Sequence, residues 1–423
     1  MLGHMTLSAW RALVRHWTVT WILVTTSSVE QEKLGRKRRD AERIEKLELS
    51  ILTSVSHRVL LIWEQGANLG HLVRLREISA QIRCRGGVPV WIVPSLFIEQ
   101  SLICGTDQRF VAPVVSRGVT REGARARSSM LRTFADVLLN IGFLDARVLA
   151  EVLGRWSKLL DQLRPDAVVC DYSPIALLAA CCHGVPAVHL TNGFDAPPGS
   201  FPSFSDARSQ GQSLESVGSG VKHLARVIHE ASSALGRPRT LNEYLSWATK
   251  VHDGLPETDP YGVRPGIHHI GPITLEGANL PLEWAQSACG EGKRVFAYLR
   301  GPAASVLTVL ESLKSAQVNV LCVWPDVPAA HQRRYRGDSI WIEKNPVNLT
   351  AALQCADAVV NYGSASVVAS TLLAGKPQLM VPIDLEKHQL ALRMQSQGLG
   401  LAWFPGQGAF RRSIDDLLHD AHL

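Results

Sequence analysis

The stretch NPVNLTAALQCADAVVNYGSASVVASTLLAGKPQLMVPIDLEKHQLALRMQSQGLG, residues 345–400, alternates helical and extended patterns. LTAALQCA (349–356) has helical spacing, AVVNYG (358–363) is an apolar run ending in a turn, and ASVVASTLLAG (365–375) returns to helix. PQLMVP (377–382) then reads as a strand and HQLALRMQSQG (388–398) as a helix closed by Gly. Short apolar strands joined through helices lie parallel, in a sheet that the helices cover on both faces. Upstream, RVFAYL (294–299), VNVLCVW (318–324) and SIWIE (339–343) read as strands, with a helix over Ala303–Ser315.

The same alternation occupies the first half. RVLLIW (58–63) is a strand, GANLGH a Gly-bearing turn, LVRLREISAQIR (72–83) a helix and VPVWIV (88–93) a strand, which together make a βαβ unit. Ser128–Leu163 reads as two helices, DAVVCDY (166–172) as a strand, PIALLAACCHG (174–184) as a helix and PAVHLTN (186–192) as a strand. Asp195–Gly220, rich in Ser, Pro and Gly, reads as a long polar loop, and helical segments follow near 221–250. IHHIGPI (267–273) is a strand end broken by Gly-Pro, a natural boundary. The expected organisation is an N-terminal extension (1–57) outside the core, helical or poorly ordered, then α/β domains over 58–268 and 269–423. A ligand belongs where the carboxyl ends of the strands face the cleft between the two domains.

Composition agrees with two globular domains. The 423 residues are 46% hydrophobic and 19% charged, too apolar for a disordered chain. The formal charge of +6 is not a nucleic-acid footprint. Residues 1–57 hold nine Lys/Arg and six Asp/Glu, so half of the excess lies outside the predicted fold. No two of the eight cysteines have zinc-chelating spacing, and several sit in apolar runs, so no metal and a reducing, cytoplasmic compartment are expected. Trp17–Ser28 is uncharged but short of the roughly 20 apolar residues of a spanning helix, which makes any membrane association peripheral.

Four segments, GANLGHLVRL (66–75), RPDAVVCDYSPIALLAACCHGVPAVHLTNGFDAPP (164–198), HHIGP (268–272) and the block 345–400, resemble in order and spacing the GT-B glycosyltransferases. The likeness is to the family-1-like enzymes, of the UDP-glucuronosyl and macrolide glycosyltransferase kind, which move a sugar from a nucleotide diphosphate to a small acceptor. It implies two facing Rossmann-like domains, the first binding the acceptor and the second the donor, a UDP- or dTDP-sugar serving as co-substrate. It also implies that His71 is the general base and that Asp171, 100 residues on, orients it. On the residues alone, the two also suit a capped turn and a helix N-cap.

On the donor side, NYGSAS (361–366) lies between a strand and a helix, where free backbone N–H groups and the helix dipole favour a diphosphate. Gly363 permits close approach, and Ser364 and Ser366 carry hydroxyls. By resemblance, Asn361 stands where the family has His, Ala365 replaces Gly or Asn, and Ala369 replaces a ribose-binding Glu. Glu386 and Lys387 stand at the family's sugar-gripping Asp/Glu-Gln pair. Backbone around Gly301, beside Arg300, is expected near the diphosphate. The family's last helix, crossing back onto the first domain, is expected to be missing, because only 23 residues follow Gly400.

The resemblance implies a metal-independent transferase whose partners are the nucleotide sugar and a small-molecule or lipid acceptor. The apolar segments 94–112 and 193–215 are candidates to line the acceptor site. Two other readings stay open: a catalytically silent nucleotide-sugar binding protein, suggested by Asn361, Ala365 and Ala369, and a sugar-nucleotide 2-epimerase of the same architecture.

Overall fold

The computed structural model describes residues 57–64, 70–95, 103–115, 131–204, 214–274, 279–281, 284, 292–334, 339–404 and 410–419. The chain divides into units 1–56 and 57–423. The predicted N-terminal extension, apart from His57, lies outside the described residues, as do the turn 65–69, Cys289 and parts of both proposed acceptor-lining segments.

In the larger unit the order of elements is β1 (Arg58–Trp63), α1 (Gly70–Cys84), β2 (Val88–Val93), β3 (Gln108–Val111), α2 (Phe134–Leu138), α3 (Ala146–Leu163), β4 (Ala167–Asp171), α4 (Pro174–His183), β5 (Ala187–Thr191), α5 (Leu214–Ser233), α6 (Leu241–Trp247), β6 (Thr249–His252) and β7 (Ile267–His269). There follow β8 (Arg294–Tyr298), α7 (Ala303–Ser315), β9 (Asn319–Val323), α8 (Ala329–Arg334), β10 (Ile340–Glu343), α9 (Leu349–Cys355), β11 (Ala358–Asn361), α10 (Ala365–Leu373), β12 (Gln378–Met380), α11 (Leu385–Ser396), β13 (Leu401–Ala402) and α12 (Phe410–His419).

The strands form two sheets, in the orders β3-β2-β1-β4-β5-β6-β7 and β10-β9-β8-β11-β12-β13. Every pairing is parallel. The expectation of two parallel α/β sheets is met. In each sheet the order reverses once, between β1 and β4 and between β8 and β11. Such a reversal leaves a crevice at the carboxyl ends of the strands, because the flanking connections leave for opposite faces.

Burial explains the strands. Leu60, Leu61 and Ile62 of β1 are sealed from solvent, with alternate residues in the packing layers on either side of the sheet. Each stabilises the fold by about 1.5–3 kcal/mol. Val295, Ala297, Val320, Cys322 and Val360 are likewise sealed from solvent in the second sheet, under α7 and α12. Helix ends follow local chemistry. Asp145 accepts from the amides of Arg147 and Val148 to start α3, Pro174 opens α4, and Gly184 closes it at φ 68°.

Several boundaries differ from the sequence expectation. The polar stretch Asp195–Gly220 gives way to α5 at Leu214, because Leu224, Val227, Ile228 and Ala231 supply a buried helical stripe that draws the preceding turns into helix. The helical segment near 221–250 ends in a strand, β6, since Thr249 and Val251 are β-branched and pair with β5. A five-residue π-helical turn, Leu139–Phe143, separates α2 from α3, with Gly142 at φ 132°. Helix α11 starts three residues before the expected His388, because Asp384 caps it by accepting from the Lys387 amide. Helix α12 follows at Phe410, and Phe410, Ile414 and Leu417 bury it against the second sheet.

Candidate active site

At the first crevice, β1 ends at Trp63, α1 begins at Gly70, and β4 runs beside β1 with Asp171 opposite Trp63. The register therefore brings His71, in the first turn of α1, over the end of β4. His71 Nδ1 lies 2.8 Å from Asp171 Oδ1. The imidazole is 17% exposed, while the Asp171 carboxylate is 1% exposed. Trp63 and Tyr172 stack against the imidazole with centroids 5.4 and 6.1 Å away. Two rings and a carboxylate thus fix its orientation, and the contact with Asp171 leaves Nε2 outside it.

The sequence reading missed a third member. Arg74, one turn after His71 on α1, is buried, and its Nη2 donates to Asp171 Oδ1 at 2.5 Å while lying 2.7 Å from His71 Nδ1. Its Nη1 donates to Asp253 Oδ2 at 3.0 Å, just beyond β6. Burial alone would lower the Arg74 pKa, but the Asp171 and Asp253 charges outweigh it and hold the guanidinium firmly charged. Burial pushes the Asp253 carboxyl above the usual range, and Arg74 offsets part of the rise. The signal for Arg74 was its place in LVRLRE, a cation three residues from His71 on the buried side of the helix. Asp253 gave no such signal, because β6 was hidden in a helical reading.

Two further carboxylates brace the crevice. Glu64 accepts from the amides of Ile175 and Ala176 at 2.9 Å each, at the start of α4, and burial pushes its carboxyl up to about 8. Asp195 accepts from His189 Nε2 at 2.9 Å and from the Thr191 hydroxyl. Burial would raise Asp195, but these two partners outweigh it and hold it below its ordinary range. His252 and His269, from neighbouring strands, approach through their Nδ1 atoms at 2.9 Å. His268 is exposed. Among the described residues no group of three His, Cys, Asp or Glu side chains could hold a metal ion.

The second crevice is built differently. Asn361 ends β11 fully buried. Its Oδ1 accepts from the Gly363 amide at 2.8 Å and its Nδ2 donates to Gln378 Oε1 at 3.3 Å, so its side chain shapes the turn from within. Gly363 has φ 88°, and a Cβ there would meet the Lys387 Cβ at 2.8 Å. Ser364 is the N-cap residue of α10, and both it and Ser366 are half-buried. Gly301, φ 111°, lies beyond β8, close to Ile383. The neighbouring Arg300 is held by Asp326 at 3.0 Å. Lys387 is buried with Nζ 2.8 Å from Glu386. Burial would lower its pKa, and Glu386 and Asp384 reverse that. Asn192, after β5, donates to Glu386 Oε1 at 2.6 Å, joining the two crevices through a residue the sequence did not single out.

The backbone makes the same statement when compared with solved structures. The calicheamicin glycosyltransferase CalG4 aligns at TM-score 0.62 and 19% identity, over 86% of this chain and 91% of that one. The fold is that of the GT-B glycosyltransferases. The spinosyn rhamnosyltransferase SpnG, complexed with spinosyn aglycone, aligns at 0.61 and 15%, over 86% of this chain and 92% of that one. SpnG complexed with thymidine diphosphate also aligns, at 0.57 and 14%, over 87% and 93%. SnogD from Streptomyces nogalater, a glycosyltransferase, aligns at 0.58 and 17%, over 87% and 92%. No family model matches the sequence, and no curated protein matches it. At these identities the GT-B likeness is one of backbone, so the chemistry must be argued from the two crevices. Among the described residues, no helix of this GT-B chain is long and apolar enough to cross a membrane.

Proposed function

We propose that this chain transfers a sugar from a nucleoside diphosphate donor, UDP- or dTDP-linked, to a hydroxyl of a small, partly hydrophobic acceptor. The contact between His71 Nδ1 and Asp171 Oδ1 carries the reading. A ring held through Nδ1 by a carboxylate offers Nε2 as a base. In the reaction His71 takes the acceptor proton as the hydroxyl oxygen bonds to the anomeric carbon. The bond from that carbon to the diphosphate breaks, and Asp171 stabilises the imidazolium. The first α/β domain, 58–268, binds the acceptor, a small molecule or a lipid. The second, 269–423, binds the donor, with the 361–366 amides, Ser364, Ser366 and Gly301 around the diphosphate, and Glu386 and Lys387 at the sugar. SpnG, known both with an aglycone and with thymidine diphosphate, supports this pair of ligands by analogy. The buried free thiols of Cys170, Cys181, Cys182 and Cys322 suit a cytoplasmic setting.

The test is a thermal-shift screen against UDP- and dTDP-sugars, followed by mass spectrometry of reactions with an acceptor panel. A donor at 100 times its Kd stabilises by about 2.7 kcal/mol. No shift with any donor would overturn the reading. One observation favours a second reading, nucleotide-sugar binding without transfer. The Asn361 amide is engaged at both ends, by the Gly363 amide and by Gln378 of β12, and Lys387 is paired with Glu386, so leaving-group charge meets backbone rather than free cations. Donor binding by calorimetry with no product across the panel would select it.

A further inference from the structure

Arg74 does more than fill a buried corner of the first crevice. Its guanidinium takes one oxygen from each of two buried carboxylates, Asp171 and Asp253. The other oxygen of each, Asp171 Oδ2 and Asp253 Oδ1, has no hydrogen-bond partner among the described residues. Arg74 is therefore the cation on which both anions depend. Without it, two buried like charges on either side of the vacated guanidinium would repel, and one carboxyl would take up a proton, since ionising both in one low-dielectric site is strongly unfavourable.

The formal charges matter for catalysis. Within the hydrogen-bonded set of Asp171, Asp253 and Arg74 there is a single net negative charge while His71 is neutral, and none once His71 becomes an imidazolium; Asp195, which also acts on Arg74, is held separately by His189 and Thr191. The cluster is balanced for the protonated state that proton abstraction creates. Removing Arg74 alone makes the set doubly negative, and a carboxyl takes up the proton in place of the ring. Removing the Asp253 charge alone makes the set neutral at rest, so the imidazolium would leave an uncompensated positive charge. Removing both returns the set to a single negative charge.

We propose that Arg74, tethered by Asp253, is a positioning residue that keeps Asp171 ionised, so that the carboxylate rather than the guanidinium beside it at 2.7 Å takes the His71 Nδ1 contact and the ring stays an Nδ1–H base. This rests on the transferase reading for its kinetic arm only. The experiment compares the full-length chain with Arg74→Met, Asp253→Asn, Arg74→Met/Asp253→Asn and Arg74→Lys. Two readouts are taken: kcat and KM for acceptor and donor, and the nitrogen-15 NMR signals of the His71 ring.

Each of Arg74→Met and Asp253→Asn is expected to lower kcat, by on the order of 10²-fold for the former, with both KM values nearly unchanged. The double variant should recover at least tenfold over Arg74→Met, about 1.4 kcal/mol, and Arg74→Lys should retain more activity than Arg74→Met. In the NMR arm, Arg74→Met should shift the ring away from the Nδ1–H tautomer and the double variant should restore it. Additive losses in the double variant, or His71 signals indifferent to Arg74→Met, would overturn the proposal. A purely structural role predicts such additivity, with kcat following thermal stability. If no donor supports transfer by the unaltered chain, the transferase reading fails while the NMR arm still decides the role of Arg74. If Arg74→Met does not fold, Arg74→Lys and the double variant, each without the doubly negative cluster, carry the same test.

Discussion

The two crevices occupy equivalent places, each at the reversal of a parallel sheet, yet they handle charge in opposite ways. The first concentrates it: His71, Asp171, Arg74 and Asp253 form one network, with Asp195 behind it. The second disperses it. Asn361 turns its amide inward, Lys387 is paired with Glu386, and Arg300 is held by Asp326. Electrostatic interactions strengthen as water is excluded, so the first crevice is suited to moving a proton. The second, made of amides around positive-φ glycines, is suited to holding an anion by backbone dipoles.

The sharpest way to break this comparison is His71→Ala. A positioned general base contributes on the order of 10²–10⁴-fold, so kcat/KM should fall by about 10³-fold while donor affinity, measured by calorimetry, stays the same. Full transfer by His71→Ala would remove the proton-handling role from the first crevice. A drop in donor affinity of comparable size would show that the two crevices are not divided as argued.

The next effect concerns stability. Glu64 has its carboxyl raised from 4.5 to about 8 by burial, against the pull of the Ile175 and Ala176 amides. The folded chain therefore keeps a proton that the unfolded chain releases. That stabilisation is complete below about pH 4.5 and is lost as pH rises through about 8, the total being on the order of a few kcal/mol at about 1.4 kcal/mol per pKa unit. Urea unfolding of Glu64→Gln at pH 5 and pH 8.5 should show less pH dependence than the parent chain. Equal pH dependence in the two would mean that the amide contacts, rather than burial, govern this carboxyl.

Gly363→Ala probes the second crevice, where backbone is expected to matter more than charge. Its φ of 88° and the 2.8 Å approach to the Lys387 Cβ leave no strain-free place for a methyl group. A loss of about 1–3 kcal/mol in chemical denaturation is expected, with donor binding weakened as the turn shifts. A variant as stable as the parent would mean that the turn is not held by this packing.

The same contrast explains what was legible in the sequence. Strands such as RVLLIW and VNVLCVW are written as apolar runs because both faces of a parallel sheet are buried, and the structure keeps them within a residue or two. Strands β3 (QRFV) and β6 (TKVH) are short and half polar, one at the edge of its sheet, so composition alone did not separate them from loop or helix. His71 and Asp171 were singled out by the family resemblance, carried by segments that a readable strand end and a readable helix start make recognisable. Asp253 followed a strand that was not readable, and Arg74, though three residues from His71 on the buried side of α1, carried no local sign of its partners. Its burial depends on two carboxylates, one 97 and one 179 residues away, and such a long-range pairing has no local signature.

The smallest effect tests whether the crevices communicate. Asn192, beyond β5, donates to Glu386 Oε1 at 2.6 Å, and Glu386 also pairs with Lys387. A donor sugar that uses Glu386 must share or displace the Asn192 amide. Asn192→Ala removes one competitor and one bond between the two crevices, each worth only about 1 kcal/mol. Donor KM should therefore change by less than about tenfold, in the tightening direction, with kcat nearly constant. If kcat falls instead, the bond positions Glu386 for donor rather than competing for it. If Asn192→Ala leaves donor KM untouched while Glu386→Ala raises it, Glu386 meets the sugar through its other oxygen. The contact then links the two sheets mechanically without taking part in recognition.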